Sequence, residues 1–96
     1  MELDVFVRLH ARAGEEPSVE AAVRNVIPPT RKEAGCVAIH GYRSIRDPQL
    51  FLIHSTWKDE AAFDLHGGLP HTVLFLQTVD ALLDQPREIA RAVKLA

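Results

Sequence analysis

Ninety-six residues suit one domain spanning 1–96, with no room for a second core or a long linker. A chain that is 47% hydrophobic and 25% charged can bury a core, which excludes a disordered tail. Eleven basic against thirteen acidic residues, a formal charge of −2, offer nothing to a phosphate backbone, so nucleic acid is not an expected partner.

One cysteine, Cys36, excludes an internal disulfide and a thiolate metal cluster, and it suits a reducing cytosol. Glu2-Leu3-Asp4 lacks the basic flank and apolar run of a signal peptide, so a cytoplasmic location is expected. No uncharged stretch approaches the roughly 18 residues that cross a bilayer, and no membrane partner is expected. A domain this small leaves much of its surface exposed, so association with a second copy would stabilise it.

Residues 3 to 11 alternate, with Leu3, Val5, Val7, Leu9 and Ala11 on one face and Asp4, Phe6, Arg8 and His10 on the other. This predicts a half-buried strand, broken at Gly14. Pro17 suits a first helical turn, and Val19, Ala22, Val23, Val26 and Ile27 then recur at helical spacing. Pro28-Pro29 interrupts that helix. Thr30 and Glu33 have capping-box spacing and Gly35 can close a turn, which predicts a kink and one further turn.

Cys36 to Ile45 and Leu50 to Trp57 read as two strands joined by an Arg46-Asp47-Pro48-Gln49 hairpin loop. Asp59 can cap a second helix carrying Ala62, Phe63 and His66, which Gly67-Gly68 stops. Pro70 restarts helical structure, with Phe75, Leu76, Val79, Leu82 and Leu83 as its stripe. A last strand alternates from Glu88 to Leu95. The order is that of an α+β, ferredoxin-like βαββαβ domain, a four-stranded antiparallel sheet with its helices on one face. The face carrying Phe6, Arg8 and His10 is left open, and a twofold-related copy of the same sheet is the expected cover, giving a homodimer.

The run from Gly35-Cys36 through Trp57-Lys58-Asp59-Glu60-Ala61-Ala62-Phe63 to His66 and Pro70-His71 resembles the antibiotic biosynthesis monooxygenase family. Pro29-Thr30-Arg31, Glu33-Ala34-Gly35-Cys36 and the Asp47-Pro48 hairpin extend the likeness over nearly the whole chain. The resemblance implies a dimeric α+β barrel with a pocket between sheet and helices. It also implies a cofactor-independent monooxygenase that oxidises a small quinol or polyphenolic aromatic with O₂, needing neither metal nor other cofactor. Family members also include isomerases of phosphorylated sugars, haem-degrading enzymes and proteins without known activity. An isomerase or lyase on a small phosphorylated or carbonyl compound, or a non-catalytic ligand-binding dimerisation module, therefore stand as alternatives. Where many relatives carry a Tyr and a Glu this chain has His54 and Ser55, and Ile39 stands where they tend to have a Tyr. The haem-degrading subgroup's asparagine aligns with Val7, and its haem-ligating histidine has no counterpart in Val73–Leu76, so haem degradation is disfavoured.

Six residues are candidates for the site. His66 and His71 flank the Gly67-Gly68 break, and either imidazole could take a phenolic proton and so generate the anion that passes an electron to O₂. Trp57 shares strand parity with Ser55, Ile53 and Phe51 and is expected to face the helices, as a flat wall of an aromatic pocket or as a core tryptophan. Ser55 lies beside it on that face. Arg91 interrupts an apolar alternation; if that face is buried it needs an anion, which an enolate or carboxylate substrate could supply, and otherwise the strand is an edge with its parity reversed. Tyr42 could donate a hydrogen bond to a bound oxygen. His10, His40 and His54 are expected to share the open face, more in keeping with an interface than with zinc. Cys36 reads as a small buried residue rather than a nucleophile.

Overall fold

A computed structural model describes all 96 residues. The chain runs β1 (Leu3–His10), α1 (Glu16–Arg31), β2 (Cys36–Arg43), β3 (Leu50–Trp57), α2 (Glu60–Gly67), α3 (Pro70–Asp80) and β4 (Glu88–Ala92). The four strands form one antiparallel sheet in the order β2-β3-β1-β4, which is the split βαβ arrangement. No helix is long and apolar enough to cross a membrane.

The alternation of β1 translates directly into two faces. Leu3, Val5, Leu9 and Ala11 are buried under the helices together with Phe51, Ile53, Ser55 and Trp57 of β3. Val19, Val23, Val26 and Ile27 of α1 pack against that face, and Phe75 and Val79 of α3 complete the cluster. Gly41 of β2 lies beneath α1, where a Cβ would stand 2.6 Å from Val23 Cγ1, so glycine lets helix and strand approach.

Three boundaries differ from the sequence expectation. α1 runs through Pro28 and Pro29 to Arg31 with no separate capped turn. The two missing N–H groups deprive only the carbonyls of Arg24 and Asn25, whose residues are exposed, so water can replace those bonds. Thr30 does not cap a turn either; its hydroxyl donates to the Val26 carbonyl at 2.7 Å, fully buried. β2 ends at Arg43, because the Ser44 hydroxyl accepts from the Arg46 and Asp47 amides and starts the turn early. β4 stops at Ala92, since its only partner is β1 and Ala92 already lies opposite Asp4, next to that strand's end. Val93 and Leu95 are therefore exposed rather than paired.

On the open face His40 and His54 stand opposite each other, as the hairpin arithmetic predicts. His10 does not join them. It pairs with Leu50, whereas His54 lies opposite Phe6 and stacks on its ring at 4.5 Å and 2°. His54 also donates to Asp4, 2.9 Å, and Thr56 donates to the same carboxylate, holding Asp4 below the usual carboxylate range.

Two carboxylates bracket His10: Asp84 from the α3–β4 connection at 2.8 Å and Asp47 from the hairpin loop at 2.9 Å. Asp84 first, then Asp47, raise the His10 pKa and so favour its protonated form. His10 first, then the Gln49 amide, lower Asp47 in turn. A raised histidine stabilises the fold fully below its ordinary value of about 6.5 and loses that contribution as pH rises through its folded value. The lowered Asp47 contributes above its ordinary value of about 3.9 and loses that contribution in acid. The clip is therefore strongest between these limits. Thermal unfolding should show Tm falling from pH 6 to 9 in the parent chain, and the slope over that window should flatten in His10→Gln; an equal slope in both would refute the clip.

Candidate active site

The helices do not seal the sheet completely. Between the four strands of the sheet below and α1, α2 and α3 above lies a cavity of about 220 Å³. Val7, Val26, Ile39, Ile53, Phe63 and Phe75 give it an apolar body. Ser55, Thr72, His66 and Arg91 bring the polar groups. An apolar cavity near 150 Å³ holds benzene and drug-sized pockets start near 300 Å³, so about one or two fused rings match this volume.

His66 reaches the cavity because the Asp59 carboxylate accepts from the Ala62 amide at 2.8 Å and starts α2 there, setting the phase of the helix. The ring lies tilted against Trp57 at 4.7 Å and stacks on Phe63 at 5.7 Å. Its Nδ1–H donates to Glu33 Oε2 at 2.6 Å, with Thr72 Oγ1 3.2 Å from the same nitrogen. A carboxylate on Nδ1 fixes the tautomer in which Nε2 carries the lone pair. Glu33, His66 and the ring nitrogen left over thus form an oriented base in a mostly buried setting, the side chains of Glu33 and His66 being 11% and 12% exposed.

Glu33 was not among the candidates from sequence, where its spacing from Thr30 suggested a helix cap. It comes within reach of α2 because Gly35 allows the turn to close up: a Cβ on Gly35 would meet Ala62 Cβ at 2.4 Å. His71, at the start of α3, donates through Nε2 to the same Oε2 at 2.7 Å. It does not line the cavity containing His66 and instead opens on a separate groove beside Ala22 and Leu74.

Trp57 faces the helices, as its parity indicates, but it is wholly buried and lies behind His66 instead of lining the cavity. Its indole N–H donates to Ser55 Oγ at 2.9 Å. The Ser55 hydroxyl proton has no protein acceptor and can donate into the cavity it borders. Trp57 therefore packs under one polar group of the site and orients another.

Arg91 lies opposite Val5 on the edge strand β4, on the helix face and not with reversed parity, and its side chain is exposed rather than buried. The anions it needs come from the protein: Glu60 and Asp64 of α2, each at 2.8 Å, with the guanidinium 4.8 Å over the Phe63 ring. Asp64 first and Glu60 second raise its pKa further. Tyr42 lies opposite Leu52 on the other sheet face, half exposed and away from the cavity. Burial, then the Glu33 charge, push the Cys36 thiol up, which keeps it protonated and a poor nucleophile.

A split βαβ sheet with helices on one face and a carboxylate-held imidazole on an apolar cavity between them is the frame of a ferredoxin-like α+β domain. Residues 4–78 match the family described as antibiotic biosynthesis monooxygenase, and the chain belongs to that family. Rv0793 of Mycobacterium tuberculosis is 30% identical over 82 residues, covering 85% of this chain and 80% of that protein. Its solved structure superposes with a TM-score of 0.94 over 100% of this chain and 97% of that one, at 26% identity. PA3566 of Pseudomonas aeruginosa superposes at 0.91, with 29% identity over 99% and 95% of the two chains. The uncharacterised protein sll1783 of Synechocystis is 32% identical over 69 residues, and this chain spans 47% of that protein's length.

Proposed function

We propose that the domain is a cofactor-independent monooxygenase acting on a one- or two-ring quinol, as a homodimer in the cytoplasm. The observation that carries this reading is the Glu33–His66 pair on the wall of an apolar cavity of that size. The ring of the quinol lies among Ile39, Ile53, Phe63 and Phe75, and His66 Nε2 takes a phenolic proton. Ser55 donates to the resulting oxyanion, and the dry surroundings strengthen that hydrogen bond. The anion passes one electron to O₂, and the two radicals combine to form a carbon–oxygen bond at the ring. Cleavage of the O–O bond then leaves one oxygen on the ring as a hydroxyl, while the other departs as water with two of the substrate's hydrogens. The quinol becomes a hydroxyquinone, and no external reductant is required.

The cavity's cation argues against a phosphorylated substrate, because Arg91 is already matched by two carboxylates. A second copy is the proposed cover for the open sheet face, where Phe6, Leu52 and Tyr42 remain exposed around the Phe6–His54 stack. The test is oxygen uptake with 1,4-naphthohydroquinone under ¹⁸O₂. The expected product is 2-hydroxy-1,4-naphthoquinone carrying one labelled ring oxygen, formed faster than without protein. Unlabelled naphthoquinone and hydrogen peroxide at the uncatalysed rate would refute the reading.

A further inference from the structure

We propose that Glu33, His66 and His71 form a binding site for one divalent transition-metal ion of the zinc class, and that its occupancy switches off His66 as a base. The three side chains come from the turn after α1, from α2 and from the first turn of α3, and one donor atom from each lies within 4.8 Å of the others. Two imidazole nitrogens and one carboxylate oxygen are the donor set such ions prefer, with bonds of about 2.0–2.2 Å. At present a single oxygen, Glu33 Oε2, accepts from both rings, at 2.6 and 2.7 Å. Ligands of a tetrahedral ion stand about 3.3 Å apart at those bond lengths, so the Glu33 carboxylate turns aside and the donor atoms, now up to 4.8 Å apart, close around the ion. His71 is the most exposed of the three, its side chain 25% accessible, and gives the ion an entry from solvent. The ion would sit on the Nδ1 side of the His66 ring, near the Thr72 hydroxyl, leaving a fourth position for water.

The consequence for His66 follows from proton bookkeeping. Nδ1 cannot carry a proton and coordinate a metal, so the neutral metal-bound ring holds its proton on Nε2. The nitrogen that accepts a proton in the free protein becomes a donor in the loaded one. This second half of the proposal rests on the monooxygenase reading, whereas the binding half does not.

Chelator-treated full-length protein titrated with Zn²⁺ in a calorimeter, and with Co²⁺ while visible absorption is recorded, tests the site. One ion per chain is expected, with a cobalt d–d band. His71→Ala, at the accessible edge, should weaken binding at least about tenfold, and Glu33→Gln should do so too. His10→Ala should leave it unchanged, although His10 also has two carboxylate partners. Binding that is absent, or that survives His71→Ala and disappears in His10→Ala, overturns the site. Zn²⁺ should also inhibit quinol oxidation by the parent and not by His71→Ala; inhibition equal in both would overturn the switch. Zinc binding without any quinol oxidation would uphold the site and sink the monooxygenase reading, so the two failures are separable.

Discussion

Replacing His66 by alanine should lower the rate of naphthohydroquinone monooxygenation by about 10²-fold or more, the usual contribution of a positioned base. The loss should appear in kcat, because His66 contributes one polar nitrogen to a cavity whose binding surface is mainly apolar. Glu33→Gln should give a loss of the same order, because the amide can present its NH₂ to Nδ1, which moves the ring proton to Nε2, and it no longer stabilises an imidazolium. His71→Ala, outside the cavity, should retain most of the rate in metal-free buffer. Steady-state kinetics with circular dichroism of each variant checks the series. A His66→Ala enzyme within twofold of the parent would remove the imidazole from the mechanism.

Trp57→Ala should be the most destabilising single change in the chain. The indole is fully buried, packs with Leu3 and Val5, and contacts Phe63 and His66. Large-to-small changes of aromatic core residues cost about 3–5 kcal/mol, and 1 kcal/mol shifts Tm by roughly 4–8 °C in a domain of this size, so Tm should fall by more than about 12 °C. Trp57→Phe separates packing from orientation. It keeps most of the buried ring but removes the N–H that Ser55 accepts, so Tm should fall much less while KM and kcat both worsen. Differential scanning calorimetry beside kinetics reads the two effects. A Trp57→Ala protein that melts within a few degrees of the parent would contradict the burial argument.

Much of this molecule is readable one residue at a time. The alternation in β1, the caps at Asp59 and Gly67-Gly68, and the β2–β3 register that sets His40 opposite His54 all follow from spacing within one or two elements. His66 was legible as a base candidate for the same reason, since the helix start at Asp59 determines its phase. Its partner was not. Glu33 is 33 residues away from His66 and 38 from His71, and its local context, three residues after Thr30, carried a plausible but different meaning. Likewise the anions for Arg91 lie on α2, 31 residues upstream in the case of Glu60, and the reach of β4 depends on where β1 begins.

Local patterning along the chain is enough for the order of elements, the inward face of the sheet, the family likeness, and the placing of Trp57 and His66 on the helix side. Periodicity and capping are local, and burial of an apolar face follows from them without reference to distant residues. Only the tertiary structure decided that Trp57 lies behind His66 rather than on the cavity wall, that Arg91 is matched by the protein's own carboxylates, and that Glu33 holds two histidines. Those outcomes depend on how closely α2 packs against the Gly35 turn and how α3 meets the end of α1. Such a polar contact satisfies groups brought together by chain closure, and no spacing along the chain encodes which carboxylate arrives first.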